Sequence, residues 1–455
     1  MISATVTSRA YRHDDADKTL HHEADSAALH LISQVRHNGF LSASPDYQAY
    51  SPHWIRDASW VAISLLNYSE FHSEANQKMA VLAHSVARRI NTFHSFVIDK
   101  YSENMRRAVD LSLEDRDKAA FNSLASHVPA RVDESGRLYV AKLRSASGRE
   151  FTIDDRNHMH IDSNLRQYDT VPLALMALEK EARLCGPDGL SDYEKSFVRN
   201  TGPLLAEYMG KIYMTPCANA WEENNHLLHS YDIAAVHSGF RSLRYFIDAG
   251  LLDMTHGSLD SISDFYVGKD GRGPIGFLRK HVHNNILYGS REPFTEQSPR
   301  SGVNGEDMFI FTRFGIGDME LGDGVVKSTM AKIDSDLFNG NYAPIRYRGD
   351  EYFTGGRWLN LLFERSILSS WSGNFIDAVS RINYVARKYK NFLPEQEIVD
   401  PANPGSTRGM RDLEENCGEP IQRLAWSYAA RIDATVEYLG ATGYVHEKRQ
   451  GLLRN

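Results

Sequence analysis

The chain has 455 residues, 42% hydrophobic and 24% charged, with a formal net charge of −8. These are the proportions of an ordinary folded globular protein, and the acidic balance offers no general basic surface for nucleic acid. Three cysteines, Cys185, Cys217 and Cys417, form neither a disulfide framework nor a metal-ligand spacing. The first residues lack the apolar core of a signal peptide, and no stretch reaches the ~18 apolar residues of a membrane span, so a cytoplasmic protein without a membrane partner is expected.

Helical periodicity dominates. A first helix is read at 24–36. A second begins near Arg56-Asp57, after the polar entry Ser51-Pro52-His53, and its Trp60, Val61, Ile63, Leu65 and Leu66 are apolar on nearly every side. Asp57 at that start suits the positive end of the helix dipole without needing any function. Residues 76–95 repeat apolar positions every three or four residues through Met79, Leu82, Ala83, Val86, Ile90 and Phe93. Residues 128–153 read as β-like, with Asp133-Glu134-Ser135-Gly136 as the turn between alternating segments. Further helices follow at 169–184, 195–214, 230–250, 356–371, 373–390 and 423–439. Residues 289–325 and 393–420 read as long polar loops, the kind that in a compact domain tends to carry function.

No Pro-, Gly- or Ser-rich linker divides the chain. The expected organisation is an N-terminal tail (1–23), a single all-α domain (24–440) with an insertion near 97–160, and a C-terminal tail (441–455). A barrel of paired helices with long pocket-forming loops is one solution. Periodicity alone does not separate it from a bundle or a superhelix.

Four stretches combine aromatic and charged residues in loops or at helix ends: Tyr50 to Asp57, including Trp54; Asn219 to Asn225, including Trp221-Glu222-Glu223; Arg346 to Tyr352, followed by Gly355-Gly356-Arg357-Trp358; and Leu393-Pro394-Glu395-Gln396, which precedes Trp426-Ser427-Tyr428-Ala429. Indole and phenol rings stack on the apolar faces of sugars, and charged groups bind the hydroxyl rim. Two carboxylates in different environments are what glycoside hydrolysis needs. Taken singly, each carboxylate also fits a solvated surface role, and Trp426 and Tyr428, at helical spacing, fit the core.

In order and spacing, these stretches resemble glycoside hydrolase family fifteen, the glucoamylase family. Tyr50-x-x-x-Trp54-Ile55-Arg56-Asp57 resembles its aromatic-Arg-Asp motif, Trp221-Glu222-Glu223 its general-acid motif, Arg346 through Trp358 its sugar-binding loop, and Pro394-Glu395-Gln396 its general-base motif. Gln167-Tyr168-Asp169 is a weaker fifth match. The resemblance implies a six-fold (α/α)6 barrel and an exo-acting, inverting hydrolase of α-glucosidic bonds. It implies Glu222 as general acid and Glu395 as general base. Arg56, Asp57 and Arg346 would hold the terminal glucose, Tyr50 would sit near the oxocarbenium ion, and Trp221 and Glu223 would shape the next subsite. Ser163, Asn219 and Arg348-Gly349 depart from the family pattern at positions bearing on outer subsites, so short oligosaccharides of isomaltose or maltose type are the expected partner.

Inversion leaves room for a water between the acids, so the two carboxyls should stand roughly 6.5–9.5 Å apart. Glu222 must stay protonated, with burial or the neighbouring Glu223 raising its pKa. Arg56 and Asp57 are expected to clamp the sugar chain end. A trehalase on the same scaffold and a non-catalytic carbohydrate-binding or regulatory domain are the rival readings. The closely spaced histidines, such as His158 with His160 and His281 with His283, match no zinc pattern, and neither metal nor cofactor is expected.

Overall fold

The computed structural model describes residues 3–45, 51–73, 76–111, 126–139, 142–144, 150–152, 167–213, 215–221, 228–265, 303–321, 324–347, 350, 356–389, 393, 396–397 and 423–453. Its frame, in chain order, is α1 (Ser3–Gln34), α2 (Ile55–Phe71), α3 (Gln77–Lys100), α4 (Thr170–Cys185), α5 (Asp192–Ile212), α6 (Ser230–Asp248), α7 (His256–Phe265), α8 (Asp307–Thr312), α9 (Val325–Ile333), α10 (Leu359–Trp371), α11 (Phe375–Lys388) and α12 (Ala425–Leu453).

The even-numbered helices form a closed ring. Helix α2 packs on α4, α4 on α6, α6 on α8, α8 on α10, α10 on α12, and α12 returns to α2. The odd-numbered helices lie outside them: α1 rests on α12 and α2, α3 on α2 and α4, α5 and α7 on α6, and α11 on α10 and α12. Helix α9 joins this layer through Val325, Met330 and Ile333, which cluster with Phe309 and Leu361.

The two layers are written in the residue patterns. Helix α2 buries every residue except Ile63, Asn67, Glu70 and Phe71, as a helix with neighbours all round must. Helix α3 buries one stripe, Ala80, Ala83, Val86, Ala87, Ile90, Phe93 and Val97, and turns its other face to solvent. Inside the ring, Arg313 at the end of α8 holds Glu364 of α10 and Asp433 of α12, and Asp433 accepts further bonds from Ser64 and Asn67 of α2. One guanidinium thereby ties four inner helices and neutralises charges that would otherwise be costly to bury.

Three two-stranded pairs complete the frame among the described residues. Strand β1 (His53–Trp54) pairs antiparallel with β2 (Arg131–Val132), β3 (Lys142–Arg144) with β4 (Glu150–Thr152), and β5 (Arg357–Trp358) with β6 (Gln396–Glu397). The turn expected after β2 is present. Asp133 Oδ1 accepts from the Ser135 and Arg137 amides, and Gly136 takes φ +69°, a left-handed conformation cheap only without a Cβ.

Three expectations need correction. Helix α1 starts at Ser3 rather than 24, and α12 runs to Leu453 rather than 439. Both extensions lack a continuous apolar stripe, so backbone hydrogen bonding carries them where hydrophobic periodicity is silent. The stretch 289–325, read as a loop, contains the buried inner helix α8. Six residues make fewer than two turns, too few for a 3.6-residue period to register. Among the described residues, no helix is long and apolar enough to cross a membrane.

Candidate active site

Those residues singled out in the sequence that the structure describes gather at the N-terminal ends of the inner helices. Strand β1 leads directly into α2, Gln167-Tyr168-Asp169 into α4, Asn304 to Glu306 into α8, and β5 into α10. Each helix end presents unpaired N–H groups and a partial positive charge, so this end of the ring suits buried carboxylates.

A continuous set of bonds joins these ends. Arg56, in the first turn of α2, donates through Nε and Nη2 to Asp169, the N-cap residue of α4. It also donates to Gln167 Oε1 (2.5 Å) and to the carbonyl of Ala220 (2.8 Å). The Ala220 amide donates to Glu306 Oε2 at 3.3 Å, and Trp221 Nε1 donates to Asn304 Oδ1 at 2.7 Å. The Gly305 amide then donates to the Arg346 carbonyl at 2.7 Å. Arg346 pairs with both oxygens of Asp350, at 2.8 and 2.6 Å. Separately, the Ala425 amide donates to the Ala43 carbonyl at 2.8 Å.

An aromatic cluster fills the centre. The Trp221 ring lies 5.0 Å from Trp358 and 6.1 Å from Trp426, and Phe309 contacts both Trp221 and Trp426. The Arg346 guanidinium sits 4.9 Å from the Trp358 ring centroid and 5.5 Å from that of Trp221, within cation–π range. Trp54, also buried, carries the Arg131 guanidinium over its ring at 5.3 Å. Trp426 and Tyr428 are buried as expected of core residues.

The acids here are heavily desolvated. Burial pushes the Asp57 carboxyl up to about 6, against the opposing pull of Arg56. Burial lifts Asp307 to about 8. Glu306 is held well above the usual carboxylate range by burial and then by Asp307 and Asp232, and Asp232 is raised likewise by burial and Asp169. Carboxyls that hold protons near neutral pH are the raw material of general-acid chemistry.

Arg56, Asp57, Gln167, Asp169, Trp221, Arg346 and Trp358 are therefore brought together, with Trp54 buried in the same aromatic cluster. Tyr50, Glu222, Glu223 and Glu395 lie outside the described residues, as do His158, His160, His281 and His283. The bidentate partner of Arg56 is Asp169, 113 positions along the chain. Neighbours in the first turn of a helix point in different directions, and Asp169 approaches from the next inner helix. Asn219, a departure from the family pattern, accepts from the Trp221 amide at 3.0 Å and so shapes the turn before Glu222. Sequence reasoning missed Asp232, Asn304, Glu306 and Asp307. The one signal for the last three was the apolar run Met308 to Phe311 directly after them.

No protein-family model matches the chain, and no curated protein is similar to it in sequence. Solved structures are similar over nearly its whole length. A wild-type glycosidase superposes with a TM-score of 0.66 at 19% identity, covering 93% of this chain and 98% of the other. A point variant of a glycosidase, solved in complex with glucose, gives 0.64 at 18% identity, covering 93% and 97%. The glucoamylase from Saccharomycopsis fibuligera gives 0.52 at 14% identity, covering 94% and 96%. This likeness and the closed ring of paired helices establish the all-α (α/α)6 barrel.

Proposed function

We propose that the chain is an inverting, exo-acting α-glucoside hydrolase that releases β-glucose from the non-reducing end of short α-gluco-oligosaccharides, α-1,6-linked such as isomaltose or α-1,4-linked. Glu222 is the general acid and protonates the leaving oxygen. Glu395 is the general base and takes a proton from the water that attacks C1 on the opposite face. Asp57 and Arg346 bind the terminal glucose together with Tyr50. Arg56, Gln167 and Asp169 form the rigid floor, and Trp54, Trp221, Glu223 and Trp358 border the adjacent sugar.

The observation that carries this reading is the position of Trp358. Its ring packs on Trp221, the residue before Glu222, and its main chain pairs with Gln396, the residue after Glu395. The two segments that bear the acids, 173 positions apart in sequence, thus meet on one side chain and its backbone. The barrel's likeness to solved glycosidases, one in complex with glucose, supports the same reading.

Proton NMR of isomaltose and maltose digests tests it. β-Glucose should appear first, and Glu222→Gln and Glu395→Gln should each abolish hydrolysis with the helical circular dichroism unchanged. α-Glucose as first product, or full activity in either variant, overturns the assignment. Cleavage of trehalose alone would make the enzyme a trehalase, and binding of glucosides without turnover would make it a non-catalytic carbohydrate-binding domain.

A further inference from the structure

Far from the tryptophan cluster, where outer helix α3 crosses inner helix α4, three side chains of different chemistry converge. Glu181 and Cys185 are four residues apart on α4 and so share a face; His84 meets them from α3. Each offers one donor atom, and these atoms lie within 4.8 Å of one another. The geometry points to a divalent-metal site formed by His84, Glu181 and Cys185 that takes Zn2+ through an imidazole nitrogen, a carboxylate oxygen and a thiolate.

The donor set fits that ion. Zinc accepts nitrogen, oxygen and sulfur together at about 2.0–2.3 Å, which places neighbouring ligands about 3.5 Å apart. His84 and Cys185 are only half-buried, so small side-chain rotations can close the difference.

The second observation is the state of Glu181. Its side chain is fully buried, and its Oε2 accepts from Asn91 at 2.8 Å. Its Oε1 accepts no hydrogen bond and has Arg88 Nε beside it at 3.4 Å. A buried acceptor left without a donor is costly, and a cation relieves that cost directly. His84 gives the lone pair of a neutral imidazole. On binding, the Cys185 thiol releases its proton to solvent. Thiolate and carboxylate then balance the two positive charges of the metal. The fourth position remains for water, and because α3 and α4 belong to different layers, the ion would staple the outer helix to the inner one.

Sequence spacing could not reveal the site, since His84 lies nearly a hundred positions before its partners and a lone cysteine has no pattern. Cobalt titration of the full chain tests it. Co2+ should bind one per chain with a thiolate-to-cobalt charge-transfer band that Zn2+ abolishes. Cys185→Ser should lose the band, whereas a Cys217→Ser/Cys417→Ser double variant should keep it. His84→Gln should retain the thiolate but weaken affinity about 10- to 100-fold. Failure of Co2+ to saturate at one per chain, or a band that survives in Cys185→Ser, overturns the site. His84 and Cys185 lie outside the proposed hydrolytic site, so glucoside cleavage should be unchanged in His84→Gln and Cys185→Ser.

Discussion

The indole rings of Trp221 and Trp358 lie 5.0 Å apart, tilted by 52°, and both face the guanidinium of Arg346. Their packing couples the loop before α6 to the strand before α10. Through the β5–β6 pairing, it also couples both to the segment carrying Gln396. A site assembled from loops so distant in sequence depends on a hub of this kind for its geometry.

Replacing the hub should therefore cost rate as well as stability. Trp358→Ala is expected to lower kcat on isomaltose or maltose by about 100-fold, since displacing a catalytic group by ~1 Å has an effect of that order. It should destabilise the fold by about 3–5 kcal/mol. Trp358→Phe keeps an aromatic plate and should recover most of the stability. A Trp358→Ala enzyme with unaltered kcat in steady-state assays would show that the hub does not position the acids.

Arg56 and Asp169 form a buried ion pair between α2 and α4, exposed by 3% and 0% respectively. Arg56→Met leaves the Asp169 carboxylate unpaired in the interior and should cost about 3–5 kcal/mol in urea unfolding. The double variant Arg56→Met/Asp169→Leu removes the stranded charge and should be more stable than the single one. If the two variants unfold at the same urea concentration, the pair is not the source of the stabilisation.

Gly305 has no room for a side chain. A Cβ at that position would stand 2.3 Å from Leu361 Cδ1, on the neighbouring inner helix. Gly305→Ala is expected to destabilise by about 1–3 kcal/mol through overpacking and to disturb the Gly305–Arg346 main-chain bond. In a Leu361→Ala background the same Gly305→Ala change should cost less, a coupling that thermal melts of the four-member mutant cycle would reveal.

A buried histidine pair and a buried carboxyl set opposite pH limits on stability. His53 Nδ1 accepts from the Leu41 amide at 3.0 Å, and its Nε2 meets His94 Nε2 at 2.8 Å, an arrangement that requires both rings neutral. Burial lowers His94 to about 3 and His53 well below 6.5, so below pH 6.5 the unfolded chain binds protons that the fold refuses. Stability must then fall on acidification, by about 2 kcal/mol for His94 by pH 5, with His53 acting in the same direction. Asp307 acts in the reverse sense. Its folded pKa of about 8 exceeds the ordinary 3.8, so stability falls as pH rises through that interval. Chemical denaturation across pH 5–8 should show His94→Asn flattening the acid side and Asp307→Asn flattening the alkaline side. Unchanged slopes in both variants would contradict the assignment.

What the amino-acid order alone determined was the identity of the elements and the chemistry they carry. The full-round apolar pattern of α2 and the one-sided stripe of α3 are local facts, legible because a helix repeats every 3.6 residues whatever surrounds it. The Arg56, Asp169, Trp221, Arg346 and Trp358 motifs were legible for a different reason: they are short aromatic and charged runs whose order resembles that of a known family. Only the tertiary structure decided that six inner helices close into a ring and that Arg56 pairs with Asp169. Likewise, only the fold could show that the entry into the short α8 supplies Asn304, Glu306 and Asp307, and that His84 meets Glu181 and Cys185. These are relations between residues far apart in the chain. They follow from which faces pack together, and no local period records that choice.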